Sequence, residues 1–185
     1  MSFYVRPALD VARDLLGQHL VVEGELGRKV GRIVEVEAYI GPQDLACHAS
    51  KGRTERTEVL FGPPGHAYVY LIYGMYHLFN VVTDVEGFPA AVLVRGVEPV
   101  EGFDPRTRLD GPGKLSRAMG IDRRHHNRLP LDRPPLHLTE GAAVPGSKVE
   151  RGPRIGVDYA GPWALEPFRL WERGNPHVSR APRRR

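Results

Sequence analysis

Two carboxylates two residues apart, on a segment that reads as a strand, are the first residues in this chain able to do chemistry. They stand in Gly31-Arg32-Ile33-Val34-Glu35-Val36-Glu37-Ala38-Tyr39. Successive side chains of a strand point to opposite faces. One face then carries Val34, Val36 and Ala38, and the other Ile33, Glu35, Glu37 and Tyr39. A carboxylate at the wall of a cleft can take a proton from water and stabilise a developing cation. An acidic, solvent-facing strand edge is the commoner use of such a pattern, so the spacing alone does not decide. Further on, Asp44 precedes His48 by four residues. On one helical turn that spacing lets a carboxylate orient an imidazole; a capping Asp beside an ordinary surface His fits the same residues.

Tyr68, Tyr70, Tyr73 and Tyr76 put four of the seven tyrosines within nine residues. Flat, rigid rings at this density either pack a core or stack on bases, and a core is the commoner case. Yet Tyr73-Gly74-Met75-Tyr76 falls where a tight hairpin should turn. An exposed Tyr and Met at a projecting tip make a poor core and a good wedge between base steps.

Charge points the same way only through its distribution. The formal net charge is +4, but four arginines lie in residues 180–185 and the rest is balanced, 22 basic against 22 acidic. Locally, Arg106, Arg108, Lys114, Arg117, Arg123, Arg124 and Arg128 face only Asp110 and Asp122 in residues 105–128, and Lys51, Arg53 and Arg56 face Glu55. Basic patches on a neutral body suit a protein that docks one face on phosphates. Solvated surface loops are the alternative.

The elements that must position these groups follow from pattern. Ala8 to Leu16 reads as an amphipathic helix ended by Gly17. Gln18 to Glu23 and Lys29 to Tyr39 read as strands joined by Gly24-Glu25-Leu26-Gly27, and Asp44 could cap a helical segment holding Ala46, Cys47 and His48. Lys51 to Pro64 is polar and irregular. Ala67 to Tyr73, Tyr76 to Thr83 and Ala90 to Arg95 carry the strongest strand signal, and Lys114 to Met119, after Gly111-Pro112-Gly113, reads as a helix closed by Gly120. Leu136 to Leu138, Arg154 to Val157 and Trp163 to Trp171 read as short strands. The expectation is an α+β fold: one domain over residues 1–179 around a curved, largely antiparallel sheet, with a projecting hairpin, peripheral helices and a disordered basic tail at 180–185.

Bulk properties exclude several classes. Hydrophobic residues at 41% and charged residues at 26% are ordinary for a globular chain. The longest apolar stretches are strand-sized, which argues against a membrane span, and Met1 to Asp10 lacks a signal-peptide pattern, so a cytoplasmic protein is expected, nucleoid-associated if bacterial; a monomer is expected as well. Cys47 is the single cysteine and can build neither an internal disulfide nor a Cys-rich metal site. Eight histidines raise a metal-dependent hydrolase, but there is no His-Glu-x-x-His run and His125-His126 is not a zinc spacing. No metal and no cofactor are expected.

Several runs together resemble a known family. Val34 to Pro42, Phe61 to Gly65, Tyr68 to Tyr76, Asn80-Val81-Val82 and Val92 to Arg95 are closely similar, in order and spacing, to alkyladenine (3-methyladenine) DNA glycosylases. The likeness continues through Gly111 to Leu115 and Arg154 to Val157, nearly the whole chain outside the basic tail. The resemblance implies excision of alkylated or deaminated purines from double-stranded DNA, without metal. It implies Glu37 as the base that activates water, and His48 and Arg95 as holders of that water and of the flipped nucleotide, with Arg95 near its phosphate. Tyr39 and Tyr70 would sandwich the base with His48 lining the same pocket, and Asn80 would oppose the exocyclic amine of guanine. Tyr73 would fill the gap left in the stack, with Met75 beside it. Arg53 and Arg56 would contact phosphates; Lys114, by its own position opening a helix after a Gly-rich turn, is well placed for an anion, with an ordinary surface lysine as the alternative. Thr57 departs from the family, some of whose members carry Asn there, which puts the contacts of that segment in question. No lysine occupies a motif position, so neither a Schiff base nor strand cleavage is expected.

Overall fold

The computed structural model describes residues 3–25 and 27–180. In chain order its elements are α1 (Ala8–Leu15), β1 (His19–Gly24), β2 (Gly27–Tyr39), 3-10 turns at His48–Lys51 and Glu58–Phe61, β3 (Ala67–Ile72), β4 (Tyr76–Thr83), β5 (Ala90–Glu101), α2 (Pro112–Met119), α3 (Arg123–His126), β6 (Leu136–Thr139), β7 (Val149–Gly152), a 3-10 segment at Asp158–Leu165 and β8 (Arg169–Glu172). The strands form one curved sheet in the order β3-β4-β5-β2-β1-β6, with β8 beside β2 and β7 beyond β8. All its strand pairs run antiparallel. This is the expected α+β class.

The long strand β2 organises the molecule. One of its edges pairs with β5 along most of its length. The other edge pairs first with β1 and then, from Glu35 to Glu37, with β8. One face of the sheet is covered by apolar side chains from α1 (Val11, Ala12, Leu15) and α2 (Leu115, Met119), which pack with Phe79, Val36 and Ala38. Phe79 is fully buried; truncating a Phe at such a site to Ala typically costs about 3–5 kcal/mol.

Four expectations are corrected here. Ile33 does not share a face with the carboxylates. Around Glu35 the β2–β5 pairing slips twice, Ile33 facing Val97, Glu35 facing Gly96 and Val36 facing Val94. Such a bulge breaks simple alternation and re-aims the next side chains, so Ile33 joins Val36 and Ala38 in the core. Arg154 to Val157 forms a loop rather than a strand, and within Trp163 to Trp171 the first three residues end a 3-10 segment and only Arg169 onward is strand, the short β8. The strand in that region is β7, which Gly and Pro neighbours hide in the sequence. The segment from Lys51 to Pro64, expected to be irregular, holds the 3-10 turn at Glu58–Phe61 with Val59 and Leu60 buried. Residues 181–185 of the basic tail and Leu26 of the first hairpin turn lie outside the described residues. Among the described residues no helix is long and apolar enough to cross a membrane.

The β3–β4 hairpin projects as expected. Ile72 pairs with Tyr76, leaving Tyr73-Gly74-Met75 as the turn. Tyr73 and Gly74 both adopt positive φ, 52° and 67°. Left-handed backbone at successive positions matches the right-handed twist of paired strands. It also turns the Tyr73 side chain into solvent, where it is 84% exposed, with Met75 at 66%.

Candidate active site

A cavity of about 580 Å³ opens on the side of the sheet away from the main core. Tyr39, at the end of β2, stands on one side of it, and Tyr70 on β3 on another. His48, Asn80, Arg95, Lys114 and Tyr73 also line it. Six dispersed segments thus bring together most of the residues singled out from the sequence. Met75, Arg53 and Arg56 do not line it.

Glu37 lies one layer deeper. Its side chain is wholly buried. Its Oε2 accepts a hydrogen bond of 2.9 Å from the Tyr39 hydroxyl and pairs with Arg95 Nη1 at 3.2 Å. Its Oε1 accepts from the backbone N–H of Ile155 at 2.7 Å. Tyr39, Arg95 and Ile155 are all wall residues of the cavity, so Glu37 stands directly behind the lining. A buried charge must be paired and hydrogen-bonded to be tolerated, and these three donors supply that. Burial and then the Glu37 charge hold the Tyr39 hydroxyl far above its ordinary range, so it stays protonated and donates.

The aromatic walls are held by their neighbours. Arg154 stacks its guanidinium 4.7 Å from the Tyr39 ring centroid, and Arg56 lies 5.2 Å from that of Tyr70. Neither arginine lines the cavity; Arg154 is buried, whereas Arg56 is exposed. His48 meets Tyr70 edge-on, centroids 4.6 Å apart, and its Nδ1 shares a 2.9 Å hydrogen bond with the Tyr68 hydroxyl. Asn80 is buried and donates through Nδ2 to the Tyr68 carbonyl at 3.0 Å. Tyr68 therefore anchors two pocket residues; its place two residues before Tyr70 on one strand face was the available signal.

Asp44 does not orient His48. It accepts two hydrogen bonds from Arg154, at 2.5 and 2.8 Å, and further ones from the backbone N–H groups of Ala46 and Ile40. The turn at His48 is 3-10 and begins after Cys47, so the four-residue helical geometry assumed for that pair is absent. Neither the Arg154 pairing nor the Ile155 contact with Glu37 had a local signal, since the partners lie 110 and 118 residues apart.

The expected phosphate contacts stand at the surface. Arg53 makes a two-point pair with Glu58 and stacks near Phe61. Lys114 is held by Asp110 at 3.2 Å. Thr57 is buried, receives the Thr54 N–H and donates to the Gly52 carbonyl at 3.0 Å, so it closes its own loop from within. Among the described residues no three His, Cys, Asp or Glu side chains converge as a metal site would require.

His48 gives the site a pH dependence. Burial, followed by the charges of Arg56 and Lys51, lowers its pKa to about 4. The unfolded chain then binds more protons than the folded one between about pH 4 and 6.5. Stability therefore rises with pH across that window and is lost as pH falls through it. We expect urea midpoints to drop from pH 7 to pH 4.5, and the drop to shrink in His48→Asn; an unchanged slope in the variant would remove His48 as its source.

Comparison with known proteins agrees with this geometry. Residues 2–176 match the family model described as methylpurine-DNA glycosylase. A protein of Myxococcus xanthus named a 3-methyladenine DNA glycosylase is 68% identical over 181 residues, covering 98% of this chain and 93% of its own. Proteins of the same name are 52% identical in Methanocella arvoryzae, covering 98% and 96%, and 49% identical in Legionella pneumophila, covering 96% of each chain. With a match of this extent around a buried carboxylate behind an aromatic cavity, the chain belongs to the methylpurine-DNA glycosylase family and is a DNA glycosylase of the 3-methyladenine type.

Proposed function

We propose that this enzyme flips a damaged purine nucleotide out of duplex DNA into the cavity, and that Glu37 activates the water that displaces the base. The observation carrying the reading is the wholly buried Glu37 carboxylate, held by Tyr39 and Arg95 immediately behind the cavity wall. A carboxylate offers about four acceptor positions, and three donors occupy this one. One position is left for a water.

The chemistry then balances without a cofactor. The water oxygen bonds to the sugar C1′ as the C1′–N bond breaks, the bond's electrons leave with the purine, and a water proton passes to Glu37. For an alkylated, cationic purine the departing base is neutral, so no acid is needed. The carboxylate also opposes the cation-like charge that develops on the sugar. His48, uncharged at neutral pH, and Arg95 would steady the water and the nucleotide. Tyr39 and Tyr70 would stack on the extruded base, returning about 1–3 kcal/mol per base against an unstacking cost of a few kcal/mol. Asn80 would reject guanine by opposing its exocyclic amine. Deaminated purines enter the proposal because the pocket selects by fit as well as by charge; there the leaving base must take up a proton.

Purified protein incubated with a duplex carrying one 3-methyladenine, 7-methylguanine or hypoxanthine should release free base and leave an intact abasic strand. Absence of release from every such duplex, or strand cleavage coupled to release, would contradict the proposal. Tyr73 supplies a second check. At 84% exposure it adds little to folding. Tyr73→Ala should leave the melting temperature nearly unchanged, yet weaken lesion-duplex affinity about tenfold, in line with lost stacking. A collapse in melting temperature would instead make Tyr73 a structural residue.

A further inference from the structure

A second carboxylate lies behind the first. Glu35 is wholly buried on β2 at the bulge. It accepts from Arg95 Nε at 3.2 Å, Arg169 Nε at 2.6 Å, the Ser179 hydroxyl at 2.7 Å and the Ser179 backbone N–H at 2.6 Å. Arg169 in turn donates to the Ser179 carbonyl at 3.0 Å and stacks on Trp171. The segment before Ser179 reaches this place because β5 carries Gly96, where a Cβ would lie 2.6 Å from the His177 carbonyl oxygen. None of these side chains except Arg95 borders the cavity.

Arg95 is the link. Its Nε points at Glu35 and its Nη1 at Glu37, both at 3.2 Å. A guanidinium is a rigid planar fork, so fixing Nε sets the plane and thereby the direction of Nη1. Arg169 supplies the second positive charge, so two carboxylates and two guanidiniums balance inside the protein. With Arg169 and Ser179 satisfying Glu35 from the far side, Arg95 stays shared between the two carboxylates.

We propose that Glu35 is a positioning residue for excision: it aims the Arg95 guanidinium at Glu37, and Ser179 locks it in that task by clamping the segment around residues 175–180 to the back of the active site. This rests on the reading of Glu37 given above. The clamp sets the geometry of the reacting groups without touching DNA. Its loss therefore falls mainly on the chemical step, with a much smaller effect on affinity for the lesion duplex, since Arg95 stays in the cavity wall and only its aim changes.

The test compares Glu35→Gln, Ser179→Ala and Glu37→Gln, each measured for single-turnover base release and for lesion-duplex Kd. Misplacing a reacting group by about 1 Å can cost on the order of 100-fold. Glu35→Gln should slow release by roughly tenfold to that limit, and Ser179→Ala by severalfold, both with Kd near the parent value. Parent-like release in both, or release and Kd falling in proportion, would overturn the clamp. If Glu35→Gln fails to fold, Ser179→Ala decides on the same criteria. A Glu37→Gln variant that still excises would overturn the underlying reading itself; an inactive one beside unaffected Glu35→Gln and Ser179→Ala overturns only the clamp.

Discussion

Glu37→Gln is expected to lose base release while keeping its grip on lesion-bearing duplex. Removing a positioned base typically costs about 10²–10⁴ in rate, and the same substitution also removes the negative charge that the proposed mechanism sets against the sugar cation. Two side effects are foreseeable from the contacts. The amide retains one oxygen, which can serve either the Ile155 N–H or the Tyr39 hydroxyl and Arg95, but not both sides. Arg95, however, keeps its contact with Glu35 and is not orphaned. The variant should therefore fold with a modest loss, on the order of 1–3 kcal/mol for an unsatisfied buried group. Single-turnover release, duplex affinity and melting temperature measured on one preparation separate the effects. Near-normal release from folded Glu37→Gln would remove the general base from the mechanism.

The expectation for Glu37 was legible in sequence because it lies in a local run, Val34 to Pro42, dense enough to carry the family likeness. The same holds for Tyr70, Tyr73 and Asn80, which sit on one hairpin whose strands pair without a register shift. Where the local rule broke, the reading broke with it. The bulge at Glu35 inverts the face of Ile33, and nothing in the strand's composition announces it. Asp44 and His48 have helical spacing, but the 3-10 turn starts only at His48 and leaves Asp44 outside it, so spacing misled. The partners that hold the site come from far along the chain: Arg154 and Ile155 from a loop that reads as a strand, and Arg169 and Ser179 from the last described residues. Charge pairs across more than a hundred residues leave no periodic trace. A single sequence can single out a candidate carboxylate and still hide what keeps it in place.

The largest stability effect should follow from that hidden layer, in Asp44→Ala. Both side chains of the Asp44–Arg154 pair are fully buried. The guanidinium also donates to the Ala38 carbonyl at 2.9 Å and the Trp163 carbonyl at 3.2 Å, and lies between the rings of Tyr39 and Phe168. Deleting one partner of a buried pair leaves an uncompensated charge and typically costs about 3–5 kcal/mol. For a chain of this size each kcal/mol lowers the melting temperature by roughly 2–4 °C. The Arg53–Glu58 pair has comparable geometry but sits in solvent, its side chains 60% and 43% exposed, so Glu58→Ala should scarcely shift the melting curve. The double variant Asp44→Ala/Arg154→Met separates charge from shape: if the penalty comes from the stranded cation, an apolar replacement should recover much of it. Tyr39 would still lose its backing in that variant, so stability should return further than excision does. Equal melting of Asp44→Ala and the parent would mean that the cation behind Tyr39 reaches water, and that the stacking face of the pocket is not fixed from within.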